Sequence, residues 1–286
     1  MVKCVLVSGE KGANVSLVGV DDSNILHVAS EGGHEEMVKC VLVSKGADVS
    51  LVGVDDSNIL HVASEGGHEE MVKCVLVSKG ANVSLVGVDD SNILHVASEG
   101  GHEEMVKCVL ISKGANVSLV GVDDSNILHV ASEGGHEEMV KCVLISKEAN
   151  VSLVGVDDSN ILHVASEGGH EEMVKCVLVS KGADVSLVGV DDSNILHVAS
   201  EGGHEEMVKC VLVSKGANVS LVGVDDSNIL HVASEGGHEE MVKCVLVSKG
   251  ADVSLVEHPS LHDVGFSTWA DCCNSLGPPR VAVVMS

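Results

Sequence analysis

Apolar and polar positions recur along this chain with a fixed period of 34 residues. The period is marked by seven methionines: Met37, Met71, Met105, Met139, Met173, Met207 and Met241. Self-similarity of this kind is typical of arrays in which each repeat is one supersecondary unit that packs on its neighbours. We therefore interpret one copy in detail, residues 55–85, DDSNILHVASEGGHEEMVKCVLVSKGANVSL.

The first half of the unit predicts a short amphipathic helix. Either Ser57 or Asn58 can cap its start by accepting hydrogen bonds from free backbone N–H groups. Its apolar face is marked by three residues: Ile59, Leu60 and Ala63. We expect this helix to end at Gly66 and Gly67, because glycine allows the chain to turn freely.

The second half predicts another helix. His68, Glu69 and Glu70 begin it, with two carboxylates at the positive end of the helix dipole. Its buried side carries four apolar residues: Met71, Val72, Val75 and Leu76. Lys79 and Gly80 are expected to close it, because a cation suits the negative end and glycine suits a left-handed backbone. The valines would also suit a buried strand, but the start and stop signals together favour a helix.

The segment that follows, residues 81–90, alternates partly and contains β-branched residues around a glycine. This pattern favours extended structure with a turn. We expect a hairpin-like finger that links one repeat to the next.

Two short helices, a finger and a 34-residue period resemble the ankyrin repeat. Four blocks carry the resemblance, in the family's order: Leu60-His61 with Ala63, Gly67-His68, Val72-Lys73, and Gly80-Ala81-Asn82-Val83. It covers residues 21–256. The tetratricopeptide repeat has the same length, but its Trp, Tyr, Phe and Pro signature is absent from these repeats.

The resemblance implies an all-α repeat solenoid of ankyrin-like helix-turn-helix repeats joined by β-hairpin-like fingers. We expect residues 1–20 to form an N-terminal half-repeat, residues 21–256 to hold seven repeats, and residues 257–286 to form a unique, disordered tail. His61 would fasten the first helix to the finger by hydrogen bonds, and His68 would lie in the turn between the helices. The resemblance assigns structural roles to Leu60, His61, Ala63, Gly67, His68 and Gly80.

Several positions depart from the family pattern. Asn58-Ile59 stands where the family has Thr-Pro, and Asp56 stands where it has the finger glycine. One extra residue lies between Val75 and Lys79, and we expect a wider helix end or a small bulge to absorb it. Glu148 replaces the glycine that closes the second helix, where a left-handed side chain costs about 1 kcal/mol. We expect the fifth junction between repeats, which contains Glu148, to be the least stable.

Composition and charge exclude several classes of partner. The chain has 43 acidic and 17 basic residues and a net charge of −26, which opposes binding to nucleic acids and to anionic lipid surfaces. Aromatic residues make up 1% of the chain, so stacking platforms for nucleobases are also missing. We expect no membrane insertion and no secretory signal, and hence a cytoplasmic or nuclear location.

Histidine and cysteine recur once or more in each repeat and suggest a metal-binding or enzymatic array. The spacing of His61, His68 and Cys74 does not match that of zinc sites, so we expect no metal and no cofactor. Asp56, Ser57 and His61 have the letters of a hydrolase triad, but Ser57 lies where a helix cap is expected. We therefore expect no catalysis.

The acidic positions are the stronger candidate for function. By the resemblance, partners lie against the fingers and the exposed side of the first helix, on a concave face that would repeat the same carboxylates. The positions that match this face in three successive repeats are Val54, Asp55, Ser57, Glu65, Val88, Asp89, Ser91, Glu99, Val122, Asp123, Ser125 and Glu133. We predict a protein–protein interaction scaffold that binds basic segments of other proteins.

Two further hypotheses concern the ends of the chain. The tail contains the chain's two aromatic residues, Phe266 and Trp269, and a targeting role in which this tail selects the partner is an alternative. Neither end resembles a polar capping repeat, and we expect that the uncapped ends can self-associate.

Overall fold

The fold is built from pairs of short antiparallel helices, each pair corresponding to one 34-residue repeat. The computed structural model describes residues 15, 17–43, 48–53, 56–78, 81–87, 90–112, 114–121, 124–146, 149–155, 158–180, 182–189, 192–223 and 226–248. The predicted tail and most of the predicted N-terminal half-repeat lie outside these ranges. Contacts divide the chain into two units, Met1–Val156 and Asp157–Ser286.

The first unit contains four helix pairs among its described residues. Their bounds are α1 (Ile25–Glu31), α2 (Glu35–Leu42), α3 (Ile59–Glu65), α4 (Glu69–Leu76), α5 (Ile93–Glu99), α6 (Glu103–Ile111), α7 (Ile127–Glu133) and α8 (Glu137–Ile145). The first helices α1, α3, α5 and α7 pack on one another in sequence, and so do the second helices α2, α4, α6 and α8. The unit is therefore a two-layer stack.

The second unit contains three helix pairs among its described residues. Their bounds are α9 (Ile161–Glu167), α10 (Glu171–Leu178), α11 (Ile195–Glu201), α12 (Glu205–Leu212), α13 (Ile229–Glu235) and α14 (Glu239–Val247). First helices again pack on first helices, and second helices on second helices.

The core of each repeat lies between the two layers. Ile59, Leu60 and Ala63 of α3 are fully buried, and Met71 and Val75 of α4 are at most 1% exposed. Because the same apolar residues recur in every repeat, each helix pair covers the apolar face of its neighbour and builds a continuous aliphatic core within a unit. Burying one such large aliphatic side chain contributes roughly 1.5–3 kcal/mol relative to leaving it exposed.

The all-α prediction is confirmed, and the helix choice for residues 71–76 is correct. The helix was predicted to close at Lys79 and Gly80, and this is wrong. It ends at Leu76, and its C-cap Val77 has a right-handed backbone with φ of −83°. The helix ends early because Ser78 N–H donates to the carbonyl of Val75, which tightens the last turn. Gly80 and Glu148 lie outside the described residues.

The fingers are turns rather than paired strands. Within the described residues the structure contains no strand, and one isolated bridge joins Val52 and Asn58. The tight finger geometry nevertheless survives the replacement of glycine by Asp56, whose φ is +51°. Aspartate tolerates this left-handed conformation better than most side chains do.

No helix in the described part of the chain is long and apolar enough to cross a bilayer.

Candidate interaction surface

At the start of first helices such as α3, an asparagine and a histidine fix the position of the finger. Asn58 is the cap: its Oδ1 accepts hydrogen bonds from the N–H groups of Leu60 at 2.9 Å and His61 at 3.2 Å. Its Nδ2 donates to the carbonyl of Asn82 at 2.9 Å, which ties the helix start to the chain that leaves the same repeat. Of the two candidate caps, Ser57 therefore does not make the helix-capping bonds that Asn58 makes.

The buried His61 extends this contact to the next repeat. Its Nε2 lies 3.3 Å from the carbonyl oxygen of Ser91 in the following finger, and a carbonyl can only accept. A proton on Nε2 satisfies this contact, and Nδ1 can then accept the backbone N–H of Asn58 at 3.4 Å, although Nδ1 also lies 3.0 Å from the Asn58 Oδ1. Burial lowers the pKa of His61 below its usual value of 6.5, so the neutral ring that this arrangement requires is the favoured form.

The finger itself closes through two backbone hydrogen bonds. Gly53 N–H donates to the carbonyl of Ser57 at 3.0 Å, and Asp56 N–H donates to the carbonyl of Gly53 at 3.2 Å. The side chain of Asp56 is exposed, and that of Ser57 is half-buried. A carboxylate is thus presented at the end of each finger next to the start of the first helix.

The outward side of the first helix carries a second carboxylate. Glu65 is exposed at the C-terminal end of α3, one turn beyond the half-buried Val62. The same exposed glutamate recurs in both units, at Glu31, Glu65, Glu99 and Glu133 and at Glu167, Glu201 and Glu235. We call these glutamates, with the exposed finger aspartates of the Asp56 type, the first-helix face.

Six of the residues predicted for partner binding fall on this part of the fold: Ser57, Glu65, Ser91, Glu99, Ser125 and Glu133. The other six lie outside the described residues: Val54, Asp55, Val88, Asp89, Val122 and Asp123. The backbone carbonyls of Ser57 and Ser91, and that of the equivalent Ser193, each accept a hydrogen bond from the histidine of the preceding repeat.

The second helices carry glutamates that are already paired with lysine. Lys73 contacts both Glu69 and Glu70, and the same three-residue cluster is present in all seven second helices of the described chain. Lys73 lowers the pKa of the Glu70 carboxyl, and the two glutamates raise the pKa of Lys73. These pairs are exposed and contribute little stability, but they place the lysine charge against the second-helix carboxylates.

Comparison with known proteins places these features in one family. The sequence profile described as "Ankyrin repeats (3 copies)" matches residues 1–87, 26–120, 60–155, 94–189 and 162–257, which together span most of the chain. The chain belongs to the ankyrin repeat family. Comparison with curated protein sequences finds no match.

A solved structure supports the same fold. The crystal structure of the ankyrin repeat domain of Bcl-3, described as a unique member of the IkappaB protein family, is similar with a TM-score of 0.66 and 24% sequence identity. The match covers 79% of this chain and 99% of that chain. At this identity the likeness concerns the fold of the ankyrin repeats.

The turn between the helices of each ankyrin repeat is shaped by its histidine. The ring of His68 stacks over the glycines, so a Cβ added at Gly66 would lie 2.5 Å from its Nε2, and one added at Gly33 of the preceding repeat 2.6 Å from its Cε1. His68 Nε2 also lies 3.3 Å from the carbonyl of Glu31, where it can donate a hydrogen bond. The ring therefore links neighbouring ankyrin repeats.

The alternative chemistry is not supported by this geometry. No group of three or more His, Cys, Asp or Glu side chains that could hold a metal ion occurs among the described residues. Both ring nitrogens of His61 are engaged by its structural hydrogen bonds, which leaves no lone pair to activate Ser57. Burial raises the pKa of the Cys74 thiol, which favours the unreactive protonated form. Ankyrin repeats are generally non-catalytic.

Two apolar positions on the surface were missed by the sequence analysis. Val62 lies half-buried on the outward side of α3, beside Glu65. Val77 at the end of α4 is 86% exposed. The available signal for Val77 was the extra residue of the 34-residue repeat, which has to be accommodated between Val75 and Lys79.

Proposed function

We propose that this ankyrin repeat array is a protein interaction scaffold that binds basic segments through its first-helix face. The observation that carries the proposal is the difference between the two helical layers. Glutamates of the Glu65 type are exposed once per repeat on the first helices, whereas glutamates of the second helices share a lysine. Ankyrin repeats generally bind other proteins.

Electrostatics supports a basic partner. Neighbouring first helices pack directly, and packed helices lie about 8–10 Å apart. That spacing is close to the Debye length of about 8 Å at physiological ionic strength, so neighbouring carboxylates repel one another weakly but measurably. A lysine- or arginine-rich segment laid across the repeats would relieve this repulsion, and its affinity would fall with added salt.

Uniformity of the repeats also favours this kind of partner. The glutamate occupies the same place in each copy, so a partner can meet several equivalent contacts at once. Linked contacts raise the overall affinity through effective concentration, even when one contact is weak. A flexible basic segment can use such a ladder, because it needs no single matching pocket.

The test uses the full chain and a fluorescent peptide of alternating lysine and glycine, which offers charge without an apolar face. We expect the triple variant E65Q/E99Q/E133Q to bind this peptide about threefold to tenfold more weakly at low salt. The matched control is E70Q/E104Q/E138Q, which changes the net charge equally on the second helices. Equal losses in the two variants, or no loss in either, would show that the first-helix face is not the binding element.

A further inference from the structure

The outward side of the first helices carries two parallel rows of side chains, one apolar and one acidic. In the first unit the valine row consists of Val28, Val62, Val96 and Val130. The glutamate row consists of the exposed Glu31, Glu65, Glu99 and Glu133. Val28 is 62% exposed, and its three equivalents are half-buried. Val62 precedes Glu65 by three residues, so the two lie on the same side of α3 and each repeat offers an aliphatic group beside a carboxylate.

The charge of the glutamate row is not balanced by lysine. Within the described part of the first unit, every lysine contacts the two glutamates that begin its own second helix: Lys39, Lys73, Lys107 and Lys141. No salt bridge to the glutamate row occurs among these described residues. The first-helix face therefore presents an apolar row beside unpaired negative charge, which favours a cationic partner over an anionic one.

The stacking of the repeats fixes the distance between successive cations of such a partner. The first helices α1, α3, α5 and α7 pack on one another in sequence, and packed helices lie about 8–10 Å apart. Because the repeats are nearly identical in sequence, equivalent carboxylates of neighbouring repeats are separated by about this distance as well. A segment that pairs one cation with each repeat must advance by the same amount between cations.

This advance discriminates between backbone conformations of the partner. In a β-strand, residues on one side recur at roughly 6.6–6.8 Å, and the mismatch accumulates to about 4–10 Å over three intervals. In a polyproline II helix, every third residue lies on the same side and advances about 9.3 Å. An α-helix returns to one side after seven residues and about 10.5 Å, but it must order seven residues for each contact instead of three. The polyproline II helix therefore fits the repeat spacing at the lower entropic cost per contact.

We propose that the first-helix face binds a segment in the polyproline II conformation with lysine or arginine at every third position; this rests on the function proposed above and specifies its partner. The cations pair with the glutamate row, and proline or aliphatic residues next to them pack over the valine row. The backbone of this conformation makes no internal hydrogen bonds and stays solvated. It needs no strand to pair with, and the described residues contain none.

Charge is the main source of affinity in this contact. Grooves that bind proline-rich segments are commonly lined by aromatic side chains. The chain has two aromatic residues, Phe266 and Trp269, and neither belongs to the repeats. The regular spacing of the cations, rather than the proline rings, must therefore distinguish a matching segment from other basic segments.

The experiment measures binding of labelled peptides to the full chain by fluorescence anisotropy at low salt. Three peptides carry four lysines each in a background of proline and alanine, with a lysine at every second, every third or every fourth position. Charge and conformation are thereby held constant while the spacing changes. A fourth peptide is an alanine-rich helix with four lysines, one at every seventh position.

We expect the peptide with lysine at every third position to bind about threefold to tenfold more tightly than the other three, since several contacts form at once. The variant E65Q/E99Q/E133Q should weaken its binding and abolish this preference. The matched control E70Q/E104Q/E138Q should keep the preference. The variant V62T/V96T/V130T, which preserves side-chain shape, should weaken binding about twofold or more through loss of apolar contact. Circular dichroism verifies that each variant is folded.

The outcomes separate this proposal from the function on which it rests. Equal affinity for all three proline–alanine peptides, lost in E65Q/E99Q/E133Q, would overturn the spacing and leave the function standing. Equal binding by wild type and E65Q/E99Q/E133Q would contradict both. Tighter binding of the helical peptide would overturn the polyproline II conformation and assign the face to a helix. Unchanged binding by V62T/V96T/V130T would overturn the contact with the valine row.

Discussion

The aspartate that closes each finger has a strained backbone conformation. Asp90 has a φ of +51°, a conformation that L-residues adopt at a cost and glycine adopts freely. The same strain recurs at Asp22, Asp56, Asp124, Asp158, Asp192 and Asp226, where φ lies between 50° and 54°. Each copy keeps an exposed carboxylate at this place despite the strain.

Replacing Asp90 by glycine should therefore stabilise the array by about 0.5–1 kcal/mol, measured as the free energy of unfolding in urea. Asp90→Ala is the control, because it removes the same charge and keeps the strained Cβ. If Asp90→Ala stabilises as much as Asp90→Gly, charge repulsion rather than backbone strain is the cause.

The helix cap and the finger turn could not be settled from the sequence alone. Ser57 and Asn58 are both good helix caps, and their sequence alone leaves the choice open. The choice is made by contacts distant in sequence, since the Asn58 amide also reaches Asn82 and the Ser57 carbonyl is taken by His27. Asp56 departs from the family pattern, and the turn keeps its shape through two hydrogen bonds that the sequence does not reveal: Gly53 N–H donates to the Ser57 carbonyl, and Asp56 N–H donates to the Gly53 carbonyl.

At the scale of the helix pair, the Gly-Gly turn and its histidine depend on each other. Gly101 has a φ of +67°, and a Cβ added there would lie 2.5 Å from Cε1 of His136 in the next repeat. Gly101→Ala should lower the free energy of unfolding by about 1–2 kcal/mol through backbone strain, with a further loss from the clash.

A double-mutant cycle separates these two causes. Adding His136→Ala to Gly101→Ala removes the clash and leaves the backbone strain, so the double variant should lose less than the sum of the single losses. Strictly additive losses would mean that the histidine ring does not restrict this turn.

The hydrogen bonds from first-helix histidines to the finger of the next repeat predict a pH dependence of stability. Burial lowers the pKa of His95 below 6.5, and the same holds for His27, His61, His163 and His197. The unfolded chain, with a histidine pKa of about 6.5, then binds protons more readily than the folded chain. The stability that the neutral histidines contribute is present above the unfolded pKa of about 6.5, and it is lost as the pH falls through the lower pKa of the folded chain.

Urea unfolding between pH 8 and pH 5 tests this dependence. We expect the free energy of unfolding to be constant down to about pH 7 and then to fall. Relief of carboxylate repulsion would act in the opposite direction, since protonation reduces the negative charge. Stability that stays level or rises down to pH 5 would contradict the proposed role of the neutral histidines.

Element boundaries were only partly predictable. The start of the second helix at Glu69 follows from its acidic first turn, but its end at Leu76 does not follow from Lys79 and Gly80. Glycines that correspond to Gly80 do have positive φ values, of 97° at Gly114 and 98° at Gly216. The glycine therefore correctly predicts a positive φ at this position. It does not predict where the helix ends, because a turn that begins at Val77 lies between the helix and the glycine.

At the scale of the whole molecule, the net charge of −26 should make stability depend on salt. Added NaCl screens repulsion between equivalent carboxylates of neighbouring repeats, so the thermal midpoint should rise between about 10 and 300 mM salt. The variant E65Q/E99Q/E133Q should show a smaller rise. A midpoint that falls with moderate NaCl would show that repulsion between repeats is not the dominant charge effect.

The arrangement of the whole array could be predicted because one 34-residue sequence is repeated, and each copy predicts the same pair of helices. The proposed binding surface could not be predicted in this way, because every exposed position is repeated too. Differences between copies therefore do not indicate which exposed face binds a partner. Glu65 was proposed through the family resemblance, whereas Val77 became visible only once its 86% exposure was known.

Binding of basic segments to the first-helix face can be tested by zero-length carbodiimide cross-linking of the full chain to the lysine–glycine peptide. The reagent joins a lysine of the lysine–glycine peptide to whichever carboxylate it pairs with, and identical repeats add their signals in the same proteolytic fragments. We predict that cross-links identified by mass spectrometry concentrate on glutamates of the Glu65 type and on the finger aspartates. Cross-links concentrated on Glu69 and Glu70 or their equivalents would instead show that the second helices bind the peptide.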